Sequence, residues 1–105
     1  MRRLVFLAKA RADLIGIFES QAGRTGRPDQ AVKLIEGIDA KCRQIARTKI
    51  MLGRPRPKLM PDIRSFLFGQ YLIFLRYRPD EIEIVTILHG RRDIETLFRE
   101  MDEQG

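Results

Sequence analysis

Apolar positions along the chain change their spacing several times, and each change marks an element. Arg3 to Leu7 is a short β-type run. From Ala8 to about Gln21 the spacing becomes helical, with Leu14, Ile17, Phe18 and Ala22 at i, i+3, i+4 and i+8. Gly23, Thr25 and Gly26 break that helix, and Pro28 and Asp29 open another. Proline suits a first helical turn because its φ is already set, and aspartate caps the turn and complements its dipole. The second stripe, Ala31, Leu34, Ile35, Ile38, Cys42, Ile45 and Ala46, is one continuous apolar face over roughly four turns. So short a break predicts an antiparallel helical hairpin.

The segment Gly53-Arg54-Pro55-Arg56-Pro57-Lys58-Leu59-Met60-Pro61 holds three of the chain's prolines before Ile63, at 55, 57 and 61. It predicts a stiff, extended connection that is neither helix nor central strand. Three strands follow, at about 63–68, 70–78 and 81–88, joined by Gly69-Gln70 and Pro79-Asp80, which predicts an antiparallel meander. Tyr71, Ile73, Leu75 and Tyr77 fall on one face and Leu72, Phe74, Arg76 and Arg78 on the other. In the last strand, Ile82, Ile84, Thr86 and Leu88 alternate with Glu83, Val85, Ile87 and His89. A final helix is expected from Asp93 to about Met101, with Ile94, Leu97, Phe98 and Met101 on one side. The order β-α-α-β-β-β-α defines an α+β fold, a small, twisted, mainly antiparallel sheet backed by a helical hairpin. The first strand is expected at one edge, antiparallel to its neighbour.

With 105 residues and 44% apolar content, the chain is expected to be a single domain over residues 1–105 with one core. Its longest apolar runs, Leu4 to Ala8 and Tyr71 to Leu75, are too short to cross a bilayer. The opening Met1-Arg2-Arg3-Leu4-Val5-Phe6-Leu7-Ala8 briefly mimics a signal peptide, but Lys9, Arg11 and Asp13 cut it short. One cysteine, Cys42, makes no internal disulfide, and with one histidine beside it no metal cluster is expected; a reducing cytoplasm fits. Neither metal nor cofactor is expected.

Charge adds a polarity. Residues 1–60 carry 14 Lys/Arg against 5 Asp/Glu, and residues 61–105 carry 6 against 9. Lys41 to Lys58 holds seven basic residues and no acid. That imbalance favours an acidic protein partner or nucleic acid, set against a solvated helix face and connector. A second cationic group, His89-Gly90-Arg91-Arg92-Asp93, closes the last strand.

Five stretches carry a resemblance. They are Ala10-Arg11-Ala12-Asp13-Leu14, Gly53-Arg54-Pro55-Arg56-Pro57-Lys58-Leu59, Ile63-Arg64-Ser65-Phe66, Gly69-Gln70-Tyr71-Leu72-Ile73-Phe74 and Ile87-Leu88-His89-Gly90-Arg91-Arg92-Asp93-Ile94. In this order and spacing the chain resembles the RelE/ParE toxin superfamily of bacterial type II toxin–antitoxin systems, on its ParE-like side. The resemblance implies one of two activities. RelE-like members are ribosome-dependent nucleases that cut mRNA; ParE-like members block DNA gyrase without covalent chemistry of their own. Both are neutralised by an antitoxin whose extended, helical C-terminal segment wraps the toxin.

RNA cleavage at a 2′-hydroxyl needs a base, an acid and cations around the phosphorane-like transition state. RelE-like nucleases carry arginine directly after the tyrosine of the penultimate strand and a tyrosine in the last helix. Here Leu72 follows Tyr71, and Phe98 holds the helix position; Arg92 matches a phosphate-stabilising arginine. A substitute set of His89 with Arg64, Arg91 and Arg92 keeps the nuclease as the alternative, against a His89 that merely ends a strand and orients a turn. Asp93 is expected to cap the last helix, worth about 1 kcal/mol. For a binder, Arg91 and Arg92 are the leading contacts, with Arg64 and Arg76 on the same surface and Arg54, Arg56 and Lys58 as a basic strip. Ion pairs to Glu81 or Glu83 are the competing role for Arg64 and Arg76. Phe66, Phe68, Tyr71, Phe74 and Tyr77 read as core packing rather than a base-stacking sheet. Apolar residues of the first helical stripe left exposed on the hairpin would form the antitoxin groove.

The expectation is therefore a cytoplasmic ParE-like toxin that inhibits DNA gyrase by binding. Its partner is expected to be an acidic antitoxin, ParD-like or of another family, with which it can form a hetero-oligomer. Neither membrane association nor sequence-specific nucleic-acid binding is expected. An mRNA endonuclease is the alternative, and an antitoxin-dependent corepressor is the third class.

Overall fold

A computed structural model describes residues 2–90 and 93–104. The elements run β1 (Arg3–Phe6), α1 (Ala8–Thr25), α2 (Pro28–Arg47), β2 (Arg54–Pro55), β3 (Ile63–Phe68), β4 (Tyr71–Tyr77), β5 (Glu81–His89) and α3 (Ile94–Gln104). They build one sheet in the order β1-β5-β4-β3-β2. The α+β architecture and the β3-β4-β5 meander are as the sequence predicts.

Strand β1 corrects one expectation. It sits at the sheet edge but runs parallel to β5, from Arg3 opposite Glu81 to Phe6 opposite Ile84. The physical reason is connectivity: the chain between β1 and β5 is long and contains the helical hairpin, which is what a parallel pair requires. The Arg3 guanidinium meets Glu81 at 2.7 Å, and backbone bonds from Arg3 to Asp80 and from Leu7 to Ile84 bracket the strand. At the other edge, two residues of the proline-rich connection pair with β3 as β2. Proline is tolerated there because an edge strand has one side without a ladder.

Helix α1 also runs further than its apolar pattern, through Gly23 to Thr25. An interior glycine costs a helix only about 1 kcal/mol. Gly26 ends the helix at φ 66°, a left-handed conformation suited to glycine, with its N–H on the Ala22 carbonyl.

Both faces of the sheet are covered. On one, the α1–α2 hairpin packs Ala10, Ile38, Cys42 and Ile45 against Tyr71, Ile73, Leu75, Ile82, Ile84 and Ile87. On the other, α3 packs Phe98 against Ile63, Phe74, Val85 and Leu88. Cys42 belongs to the first cluster; burial, aided by Asp39, pushes its thiol up to about 12, so it stays protonated.

The split of β5 between the two clusters does not follow the strict alternation expected. Ile82 and Ile84 face the hairpin, but so does Ile87, while Val85 and Leu88 face α3. The cause is a bulge: Leu75 pairs with Ile84 and Phe74 with Thr86, leaving Val85 as the extra residue. Asp13 of α1 reaches this point. One carboxylate oxygen accepts from the Thr86 hydroxyl and from the Ile87 N–H at 3.0 Å. The other meets Lys9 at 2.5 Å.

Asp13→Ala leaves a buried hydroxyl and a backbone N–H without their acceptor, and is expected to destabilise the fold by about 2–3 kcal/mol. Asp13→Asn keeps an acceptor oxygen and should lose less than half of that. Urea unfolding checks both; equal midpoints for Asp13→Ala and the parent chain would refute the account.

Candidate functional site

His89 ends β5 on the hairpin face, directly opposite Tyr71. The two rings meet edge-on with centroids 5.5 Å apart. His89 Nε2 lies 3.2 Å from Gln70 Oε1, and the Tyr71 hydroxyl accepts a 2.9 Å bond from Gln21 Nε2 of α1. His89 and Tyr71, with Lys9, Asp13 and Ser20, line a cleft of about 330 Å³. Its one carboxylate, Asp13, is committed to Lys9, Thr86 and Ile87. The contact to Gln70 ties the end of β5 to the turn between β3 and β4.

The helix position at which the nucleases carry tyrosine lies elsewhere. Phe98 is 1% exposed, on the α3 face, edge-on to Phe74 at 4.8 Å. Leu72 packs into the same cluster. The sheet therefore separates His89 from Phe98. The bulge produces this: strict alternation along β5 would have put His89 on the α3 face.

The cationic residues are also divided. Arg64 pairs in register with Leu75, on the hairpin face, and donates 2.9 Å to the Gly53 carbonyl. Arg76 pairs with Ile63, on the α3 face, and meets Glu83 at 3.0 Å. The expectation that they share a surface fails because the register sets them one residue apart, and adjacent strand residues point oppositely. Arg76 takes the ion-pair role, sharing Glu83 with Arg78. Glu81 serves Arg3 instead.

Arg54, Arg56 and Lys58 do come together. With Pro55, Pro57 and the first turn of α3 they line a cleft of about 460 Å³. Arg56 is partly engaged, donating 2.9 Å to the Ser65 hydroxyl. Asp93 caps α3 as expected, taking the Thr96 N–H at 3.2 Å and its hydroxyl at 2.7 Å. These bonds, side chain first, hold the Asp93 carboxyl below its usual range, so the cap is intact at neutral pH and fades only in acid. Arg91 and Arg92 lie outside the described residues.

A surface only partly foreseen lies on the hairpin's outer side. Leu14, Ile15 and Phe18 of α1 and Val32 and Ile35 of α2 line an apolar groove of about 370 Å³, rimmed by Glu19 and Glu36. Ile15 is 61% and Val32 43% exposed. Both are large apolar residues outside the two core stripes, which is the signal by which the sequence marks them. Among the described residues, no three His, Cys, Asp or Glu side chains gather as a metal site requires, and no helix is long and apolar enough to cross a membrane.

Comparison with known proteins gives this arrangement a class. A solved structure titled "Chromosomal ParDE TA system from P. aeruginosa" superposes with a TM-score of 0.75 at 25% identity, covering 85% of this chain and 96% of that one. The family model "ParE toxin of type II toxin-antitoxin system, parDE" matches residues 4–94, and the chain belongs to that family. None of the curated proteins compared matches it.

Phe98→Tyr tests the separation of the two faces. It restores the hydroxyl that RelE-like nucleases carry, but inside a packed apolar cluster. The expected outcome is a loss of about 1–3 kcal/mol in stability and no mRNA cleavage in a translation-coupled assay. Cleavage that appears in this variant and disappears in Phe98→Tyr/His89→Ala would show that the two positions do converge.

Proposed function

We propose that this ParE-family toxin acts by binding DNA gyrase, and that an acidic, ParD-like antitoxin neutralises it by seating a helical segment on the hairpin groove. The observation that carries the first half is the placement of His89 and Phe98 on opposite faces of the sheet. A nuclease must bring its proton-transfer groups to within hydrogen-bond reach of one phosphodiester. Here the histidine is braced by Gln70 and Tyr71, the helix position is core, and Arg76 is neutralised by Glu83. What remains accessible suits association: an apolar groove on one side and a cationic cleft at Arg54, Arg56 and Lys58 on the other. Shape and charge complementarity are all that a binding inhibitor needs.

The second half rests on Ile15 and Val32. An amphipathic helix laid on a groove of this kind buries its apolar stripe against such residues. Acidic residues of the same antitoxin would find complementary charge in the basic half of the chain. Arg54 and Arg56 are assigned to partner contacts on that ground, as are Arg91 and Arg92 from the sequence alone.

Purified toxin is expected to inhibit gyrase supercoiling and to leave transcripts intact on translating ribosomes; cut transcripts with unaffected gyrase would reverse the assignment. His89→Ala should retain gyrase inhibition within about threefold, since no proton transfer is involved, whereas a nuclease relying on a general base or acid would lose about 100-fold or more. Ile15→Glu/Val32→Glu should leave inhibition intact while weakening neutralisation by about 100-fold or more, because two apolar anchors of about 1.5–3 kcal/mol each are lost. Antitoxin affinity measured by calorimetry decides the latter; an unchanged Kd would place the antitoxin on another surface.

A further inference from the structure

Arg2 and the neighbouring pair Arg47 and Lys49 come from distant parts of the chain and converge on one cleft. Arg2 precedes β1, and Arg47 and Lys49 flank the end of α2. With Thr48, Pro79 and Asp80 they line a space of about 460 Å³ at the end of the sheet away from His89. Several other cations on the sheet and hairpin have an acid: Arg3 has Glu81, Lys9 has Asp13, Arg43 has Asp39, and Arg76 and Arg78 share Glu83. Among the described residues, Arg2, Arg47 and Lys49 make no ion pair. One carboxylate, Asp80, stands in a cleft with three positive charges.

Arg2 is held in place for this. Its guanidinium lies 4.9 Å from the centre of the Tyr77 ring. That ring is fixed in turn by a 2.8 Å bond from the Leu52 N–H to its hydroxyl. Arg2 Nε is buried with no acceptor among the described residues. A buried donor without a partner is costly, and an arginine set on an aromatic face has already given up much of its side-chain freedom. The end of α2 explains part of the cluster, since cations complement the negative pole of a helix. It does not explain Arg2, which reaches the cleft from the start of β1.

We propose that this cleft binds a phosphate group. Three cationic side chains approach from two separate segments, Arg2 from the start of β1 and Arg47 and Lys49 from the end of α2. A tetrahedral phosphate presents oxygens in several directions and can meet donors arriving that way, whereas a flat carboxylate is satisfied by a single guanidinium fork. The guanidinium of Arg2 supplies a fixed fork, and Lys49 supplies a mobile point charge. The sources of such a group are a free phosphate or nucleotide and the backbone of a nucleic acid. The site is independent of the gyrase reading.

The test is an NMR titration of the isotope-labelled chain at low ionic strength, with inorganic phosphate and then with a short duplex DNA of arbitrary sequence. Phosphate should shift the Thr48, Lys49, Tyr77 and Asp80 amides, and Arg47→Gln and Lys49→Gln should each weaken that response by about tenfold. Arg54→Gln/Lys58→Gln, in the other cleft, should leave it unchanged. Both single variants are at exposed positions, so they carry the test even where Arg2→Ala disturbs the Tyr77 packing. Duplex DNA binding with the same variant sensitivity and a steep salt dependence identifies the nucleic-acid backbone as the source. Sensitivity confined to inorganic phosphate or a nucleotide identifies the free group. Shifts at other amides, shifts indifferent to both exposed variants, or tighter binding of a glutamate-rich peptide at this cleft would each overturn the proposal.

Discussion

One extra residue in β5, held by one carboxylate, decides which side of this molecule its only histidine faces. Val85 has no partner of its own on β4, so every residue after it changes sides relative to the first half of the strand. Ile87 joins the hairpin cluster, Leu88 joins the α3 cluster, and His89 comes to stand against Tyr71. A bulge in a central strand disturbs the ladder and exposes polar backbone in the least hydrated part of the fold. Asp13 compensates by accepting the Ile87 N–H and the Thr86 hydroxyl, and Lys9 balances its charge. The same contacts lock α1 onto the sheet. The hairpin's outward groove therefore takes its position from the interaction that aims His89.

Much of this was legible from residue pattern. The stripes of the two helices, the proline-stiffened connection and the two tight turns each depend on neighbours within a few positions, which is where sequence periodicity is informative. The direction of β1 and the bulge are of another kind. Nothing local distinguishes a parallel from an antiparallel edge strand of four residues; its direction follows from the long connection and from the Arg3–Glu81 register. The bulge sits in Ile84-Val85-Thr86-Ile87, a run of β-branched residues with no glycine to announce it. Its partner, Asp13, lies more than 70 positions away in sequence. The pairing of Arg64 and Arg76 on one surface failed for a related reason: a register offset of one residue is invisible until the strands are paired.

Charge was legible in amount but not in distribution. The basic run from Lys41 to Lys58 looks like one strip in the sequence. Folded, it is split. Arg43 is taken by Asp39, Lys41 lies 5.8 Å from the centre of the Phe66 ring, Arg47 and Lys49 turn toward Arg2, and Arg54 and Lys58 face the start of α3. Two cationic clefts on different parts of the surface have a consequence that a single strip lacks. A helix seated over Ile15 and Val32 covers neither of them by itself, because both lie off the groove's lining. An antitoxin that occupies the groove alone would leave those charges accessible to another partner, and full neutralisation would require the antitoxin chain to continue around the molecule.

Binding and cleavage place opposite demands on this fold. A nuclease needs polar groups gathered at one edge of the sheet, and the handful of core positions available near α3 must then be sacrificed to them. This chain spends those positions on packing. Phe98 and Phe74 stack edge-on at 4.8 Å, Leu72 and Val85 close around them, and Leu59, Met60 and Met101 complete the cluster. In a protein this small, a second apolar layer is a large share of the stability that can be gained from burial. Inserting a hydroxyl there costs packing without reaching the histidine, since the sheet intervenes. In this chain the bulge that turns His89 to the hairpin face and the apolar Phe98 keep those two positions apart. Binding to a partner asks only that the outer surface keep its shape, and the apolar layer under α3 supports that surface.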